Sequence, residues 1–140
     1  MSDRRRSNAI ELEPRQAEFD DLYQSGKAQL VSTKLVADLE TPVSAYMKLA
    51  KDQSMSFLLE SVEGGAVRGR YSIIGMAPDV VWRAQGNEAE INRNPIRKPN
   101  AFKPLEAPTL DALRELLDQS AIDVPEGMPP MAAGVFGYMG

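Results

Sequence analysis

The side chains best suited to chemistry lie in residues 56–75, "SFLLESVEGGAVRGRYSIIG", where one apolar run ends in Glu60 and Ser61 and a second follows Arg70 and Tyr71. A carboxylate can accept hydrogen bonds from an ammonium group, and a guanidinium can donate two parallel hydrogen bonds to a carboxylate. A tyrosine adds an aromatic wall with a polar tip. Together these groups suit a zwitterion that carries an apolar side chain.

The glycines of the same stretch raise the alternative of a phosphate-binding loop. Gly64 and Gly69 have the glycine spacing of a P-loop. However, Arg70 and Tyr71 stand where that motif needs Lys and then Ser or Thr. The following "YSIIG" is also too short and too β-branched for the helix that must aim its amides at the phosphates. The residues therefore disfavour a P-loop.

An ordinary hairpin loop is the second alternative. Glycines permit the open backbone of a turn, and Arg70 would then be a solvated side chain. Glu60 and Ser61 at the end of an apolar strand favour a site, because buried polar atoms need partners. Capping or turn hydrogen bonds would satisfy a lone serine equally well. The residue chemistry alone leaves both interpretations open.

The composition of the chain excludes several functional classes. With 140 residues, 43% hydrophobic and 26% charged, it has the balance of one globular domain. It has no His and no Cys, which excludes disulfides, thiolate catalysis and the commonest general base and metal ligand. A net charge of -4 with scattered arginines disfavours nucleic acid as a partner. No apolar run approaches the ~18 residues of a membrane span, so we expect no membrane partner and a cytoplasmic location.

Hydrophobic periodicity predicts the elements that must position these groups. Helices are predicted at residues 15–27, 41–51 (with Thr41 as its cap) and 109–120 (with Thr109 as its cap). Strands are predicted at residues 29–38, 55–62, 70–75, 79–93 (a hairpin turning at Gly86-Asn87) and 132–140, with an extended loop at 94–108. Adjacent strands with short turns favour an α+β fold, an antiparallel β-sheet or sandwich with two or three peripheral helices. The apolar final residues need a cover that this chain does not supply, so we expect the sheet to be incomplete and the chain to be truncated.

Several separate segments favour the site interpretation by resemblance. They are "TPVSAYMKLA", "SFLLESVEGG", "GRYSIIG", "PDVVWR" and the final "GVFGYMG". Their order and spacing resemble the amino-terminal region of anthranilate synthase component I, one of the chorismate-utilising enzymes. The resemblance begins at about Gln29 and extends to the last residue.

The resemblance implies that a full-length parent converts chorismate, with glutamine-derived ammonia, into anthranilate and pyruvate in the first step of tryptophan biosynthesis. It implies magnesium, bound outside this chain, and a glutamine amidotransferase partner, component II. Residues 1–14 are then a poorly ordered start. Residues 15–140 are an amino-terminal regulatory domain, truncated before the catalytic region and inactive by itself. No catalytic or metal-binding residue is therefore assigned to this chain.

The resemblance also implies that L-tryptophan binds this region as a feedback effector. The family's Leu-Leu-Glu-Ser motif matches residues 58–61, and the strand that follows supplies further candidates. The residues assigned to the effector site are Leu59, Glu60, Ser61, Arg70, Tyr71 and Ser72. Two alternatives stay open: the amino-terminal region of aminodeoxychorismate synthase in the folate pathway, and a non-catalytic binding or interaction module. An unpaired strand edge would also offer a route to a homo-oligomer.

Overall fold

The computed structural model describes residues 10–60, 71–129 and 131–140. Its helices are α1 (Gln16–Gln24), α2 (Pro42–Leu49) and α3 (Thr109–Gln119). Its strands are β1 (Phe57–Glu60), β2 (Ser72–Gly75), β3 (Val81–Gln85), β4 (Glu88–Asn92) and β5 (Lys103–Pro104). Within these residues the strands form one two-stranded and one three-stranded antiparallel sheet. The predicted α+β class is confirmed.

The chain divides into two compact units. One consists of Met1–Val36 together with Glu115–Gly140, and the other of Ala37–Arg114. Both sheets and the described residues of the predicted site belong to the second unit, and the boundary between the units falls within α3. No helix in the described part of the chain is long and apolar enough to cross a membrane.

Two predicted strands, at residues 29–38 and 132–140, were wrong. The first is reduced to a single bridge in which Ser32 and Glu13 exchange backbone hydrogen bonds of 2.7 and 2.8 Å. The second contains no strand among its residues. Strand preference reflects packing against neighbouring strands, and these segments lack that packing: Val36 is 89% exposed and Tyr138 is 98% exposed.

Helix α2 begins as the sequence predicts. The Thr41 hydroxyl accepts from the Ser44 backbone N–H at 3.1 Å, and the Ser44 hydroxyl accepts from the Thr41 backbone N–H at 2.8 Å. This capping box satisfies two backbone donors that would otherwise lack partners. The helix packs against β1 and β2, and Ala50 at its carboxyl end is fully buried. A 2.9 Å hydrogen bond between the Tyr46 and Ser56 hydroxyls joins the helix to the residue before β1.

The carboxyl of Glu40, which precedes this cap, should make the stability of the fold depend on pH. Hydrogen bonds from the Lys48 ammonium and the Ser44 hydroxyl hold the pKa of its carboxyl below the usual value of 4.5. A carboxyl with a lowered folded-state pKa stabilises the fold above its unfolded-state pKa, and this contribution is lost as the pH falls through the folded-state pKa. We expect Glu40→Gln to unfold at lower urea than the parent at neutral pH. The difference should shrink as the pH falls below 4.5. A constant difference across urea titrations in the acid range would contradict this.

The three-stranded sheet has the order β3-β4-β5, and its first two strands form the predicted hairpin. Gly86 has φ +59, as the first central residue of a type II′ turn requires. The Thr109 hydroxyl donates to the Gly86 carbonyl at 2.9 Å, and the Thr109 backbone N–H donates to Asn87 Oδ1 at 3.2 Å. Thr109 therefore fastens the start of α3 to this turn instead of capping the helix as predicted.

Asn92, at the end of β4, is almost fully buried, with 1% of its surface exposed. Its Nδ2 donates to the carbonyls of Lys98 at 2.7 Å and Pro99 at 3.3 Å, and its Oδ1 accepts from the backbone N–H of Asn94 at 2.9 Å. These bonds hold the following loop against the strand. The predicted loop over residues 94–108 is confirmed except at Lys103–Pro104, which pair with β4 as the short strand β5.

Candidate functional site

Strands β1 and β2 bring four of the assigned residues to one end of the two-stranded sheet. The register pairs Glu60 with Ser72 and Leu59 with Ile73, and Tyr71 directly precedes β2. The two predicted segments therefore pair as neighbouring antiparallel strands. The other two assigned residues, Ser61 and Arg70, lie outside the described residues.

Strand alternation divides these residues between the two faces of the sheet. Because successive side chains point to opposite faces and register partners share a face, Glu60 and Ser72 lie together with Leu58 and Ile74. Leu59 lies on the opposite face. A ligand on the first face can contact the carboxylate and the hydroxyl together, whereas Leu59 is turned away from it.

This end of the sheet is open to solvent. Leu59 is 48% exposed, Tyr71 is 45% exposed, and Glu60 and Ser72 are also exposed. Within the described residues, neither the Glu60 carboxylate nor the Ser72 hydroxyl makes a hydrogen bond or ion pair. A carboxylate and a hydroxyl on one face can both accept hydrogen bonds from an ammonium group.

The opposite end of the same pair is set by Phe57 and Gly75. These two residues are register partners, and a Cβ added at Gly75 would overlap the Phe57 ring. The ring therefore occupies the space that a side chain at residue 75 would need. This contact helps to fix the register, and the register in turn places Glu60 opposite Ser72.

A separate depression of about 440 Å³ lies along β4, away from the predicted site. It is lined by Asn87, Glu88, Ala89, Glu90, Pro104, Leu105, Glu106, Ala107 and Pro108. Glu90 is already paired with the Arg83 guanidinium at 2.7 Å, and that guanidinium lies 3.8 Å from the centre of the Phe102 ring. These contacts join β3 to β4 and to the segment before β5, so we assign this region a structural role.

No group of three or more His, Cys, Asp or Glu residues that could hold a metal ion occurs in the part of the chain that the structure describes. The magnesium ion that the resemblance implies is expected outside this chain. We derive no step through magnesium for this chain.

Comparison with known proteins supports the resemblance seen in the sequence. The chain is 47% identical over 122 residues to the anthranilate synthase component 1 of Cereibacter sphaeroides, a match covering 87% of this chain and 24% of that protein. This chain is homologous to part of anthranilate synthase component 1. The anthranilate synthase component 1 of Synechocystis sp. is 39% identical over 131 residues, with 92% of this chain and 25% of that protein covered.

A third anthranilate synthase component 1, from Arthrobacter globiformis, is 31% identical over 129 residues and covers 92% of this chain. The chain spans about a quarter of the length of these relatives, with 24%, 25% and 24% of them matched. No family model matches the chain. No solved structure matches it. The predicted resemblance to anthranilate synthase component 1 is confirmed.

Proposed function

We propose that this chain forms the amino-terminal, regulatory part of an anthranilate synthase component 1. The observation that carries this proposal is the 47% identity over 122 residues with the protein of Cereibacter sphaeroides. The whole enzyme would act as a lyase in the cytoplasm and convert chorismate, with glutamine-derived ammonia, into anthranilate and pyruvate. The designation "component 1" implies a second component, for which we propose a glutamine amidotransferase.

The chain by itself would not catalyse this reaction. The catalytic residues and the magnesium ion would belong to the portion of the relatives that this chain does not match. Its own role would be to bind L-tryptophan, the product of the pathway, and to lower the activity of the whole enzyme. Binding by an isolated chain would be weak, because a ligand with few contacts must still offset its lost translational freedom.

The end of the β1–β2 pair would hold the polar groups of tryptophan. Glu60 and Ser72 share one face and have no partner within the described residues, so the carboxylate and hydroxyl could accept from the effector's ammonium group. Arg70 would grip the effector's carboxylate, Ser61 would add a hydroxyl, and Tyr71 would add an aromatic wall. This arrangement gives Leu59, on the opposite face, no contact with the ammonium group.

Inhibition would follow from a difference in affinity between two arrangements of the whole enzyme. Tryptophan would favour an arrangement that binds chorismate or the second component weakly. A tenfold loss of affinity requires about 1.4 kcal/mol of coupling, which a few charge-assisted hydrogen bonds can supply.

The test is a chimeric enzyme in which this chain replaces the matching segment of the Cereibacter sphaeroides protein. We expect it to form anthranilate and to be inhibited by L-tryptophan and not by L-phenylalanine. Ser61→Ala and Glu60→Gln should each raise the tryptophan concentration for half-inhibition by about 10-fold, measured against each variant's own uninhibited rate. Glu88→Gln, in the other sheet, is the matched control and should leave inhibition unchanged.

Each outcome of this assay bears on a different part of the proposal. An active chimera that tryptophan does not inhibit would contradict the proposed effector site and leave the homology unaffected. Aminodeoxychorismate as the product would contradict the proposed activity. Calorimetric titration of the 140-residue chain with L-tryptophan would show separately whether this segment binds the effector without the rest of the enzyme.

A further inference from the structure

Two hydroxyl groups, those of Tyr46 and Ser56, join helix α2 to the start of strand β1, and we call them the hydroxyl pair. Their oxygens lie 2.9 Å apart. The Ser56 hydroxyl also lies within hydrogen-bonding distance of two backbone carbonyls, those of Ala50 at 3.0 Å and Gln53 at 2.9 Å. A serine hydroxyl has one hydrogen and a carbonyl oxygen has none to give. Ser56 therefore donates to a carbonyl and accepts from Tyr46.

The hydroxyl pair restrains a connection whose backbone is strained. Met55, directly before Ser56, has φ +61, in the left-handed region that such a side chain rarely adopts. A conformation of this kind costs free energy and persists only where the surrounding structure fixes it. Met55 is 39% exposed, so packing of its side chain supplies only part of that restraint. The hydrogen bonds of the next residue, Ser56, supply a further part.

The position of β1 depends on its contact with α2. Strands β1 and β2 form a two-stranded sheet, and neither pairs with a further strand among the described residues. A two-stranded pair is marginally stable by itself and needs a packing partner, which α2 supplies to both strands. Phe57, the first residue of β1, directly follows Ser56. The hydroxyl pair therefore fixes where β1 starts relative to the helix that covers it.

The start of β1 also places the candidate effector residues. Glu60 is the last residue of β1, four residues after Ser56, and its register partner is Ser72. A strand rises about 3.3 Å per residue, so Glu60 lies ~13 Å from Ser56 along the chain. The hydroxyl pair thus acts on Glu60 through the strand and not by contact. A shift of β1 at Ser56 would move the Glu60 carboxylate with it.

We propose that Tyr46 and Ser56 are positioning residues of the effector site. Their hydrogen bond holds β1 on α2 in the place from which Glu60 and Ser72 bind the ammonium group of tryptophan. Without the bond, β1 would occupy several positions on the helix, and tryptophan would bind only the fraction of molecules in which both groups are correctly placed. This inference rests on the proposed function, because it concerns the regulation of the same site.

Tyr46→Phe in the chimeric enzyme is the first test, because it removes one oxygen atom and keeps the aromatic ring. We expect it to raise the tryptophan concentration for half-inhibition by about fivefold, the equivalent of one ordinary hydrogen bond, with no change in KM for chorismate. Ser56→Ala should have at least the same effect, whereas Ser56→Thr keeps the hydroxyl and should retain the parent's inhibition. Tyr23→Phe is the matched control, since Tyr23 is 71% exposed.

The double variant Tyr46→Phe/Ser56→Ala tests whether the two hydroxyls act as a unit. If they act through one shared hydrogen bond, the double variant should need no more tryptophan for half-inhibition than Ser56→Ala alone. Two unrelated losses of stability would add instead. Urea titration of each variant would separate a change in inhibition from a change in stability.

Hydrogen exchange of the β1 amides, followed by mass spectrometry in the chimeric enzyme without tryptophan, tests the positioning apart from the effector. We expect faster exchange in Tyr46→Phe than in Tyr23→Phe. Unchanged exchange, or unchanged half-inhibition in a parent that tryptophan inhibits, would overturn this inference and leave the proposed function standing. An active parent chimera that tryptophan does not inhibit would contradict the proposed function, and this inference with it.

Discussion

Replacing Asn92 by Asp is expected to lower the free energy of unfolding by about 3 kcal/mol. The amide group of Asn92 donates to two backbone carbonyls, those of Lys98 and Pro99. In the Asp variant a carboxylate oxygen would face the same carbonyl oxygens without a hydrogen to donate. Because only 1% of the residue is exposed, water could not solvate that charge. Asn92→Ala removes the donors without adding a charge, so its effect should be smaller, about 2 kcal/mol.

Urea titration followed by the fluorescence of Trp82 would measure these effects. Trp82 is the single tryptophan of the chain and lies in β3, beside the strand that ends at Asn92. Asn100→Asp makes the same chemical change at an exposed position and should alter the free energy of unfolding by less than about 0.5 kcal/mol. The Asn92→Asp penalty should decrease in acid, because a protonated carboxyl regains one donor. Equal stabilities for the two Asp variants would contradict the role given to Asn92.

The elements that the sequence predicts well are those whose signals are local. Helix α2 begins where Thr41 and Pro42 indicate, because capping and proline geometry act within one turn. The hairpin turn at Gly86-Asn87 is likewise correct, since a short turn depends on its own residues.

The elements that the sequence predicts badly are those that depend on partners distant in the chain. Residues 29–38 and 132–140 have the composition of strands, but a strand also needs a neighbour, and the sequence of a segment does not specify one. Strand β5 was not predicted, because a segment with a suitable neighbour can form a strand without a strand-like sequence. Its two residues, Lys103 and Pro104, show no strand pattern, and their pairing with Glu90 and Ile91 follows from the way Asn92 folds back the preceding loop.

The arrangement of the candidate site was predictable in part. The quoted motif places Glu60 at the end of one strand and Ser72 at the start of the next, and the observed register brings them together. The division between faces could not be predicted, because it depends on the register, and a shift of one residue would move every side chain to the other face. Sequence reasoning missed the role of Gly75, because its contact with the Phe57 ring is visible only once the register is known. It also missed the role of Asn92, which was interpreted as part of the hairpin and not as the anchor of the loop that follows.

Gly75→Ala is the second substitution with a large expected effect, a loss of about 2 kcal/mol in the stability of the β1–β2 pair. The added methyl group would overlap the Phe57 ring, so the ring or the strand must move. Hydrogen exchange of the β1 and β2 backbone amides would report the loss. Gly137→Ala is the control, since a Cβ there would meet no atom within 4 Å.

A compensating substitution separates this contact from a general effect of alanine. Phe57→Leu removes the ring edge that a residue-75 methyl group would meet, so the double variant should be more stable than the sum of the single losses predicts. The Phe57–Gly75 contact helps to fix the register that sets Glu60 opposite Ser72. Gly75→Ala should therefore also weaken tryptophan inhibition in the chimeric enzyme, and Phe57→Leu should restore part of it. Additive losses in the double variant would show that the ring does not control the register. Restored stability without restored inhibition would show that inhibition by tryptophan does not depend on the pairing of β1 with β2.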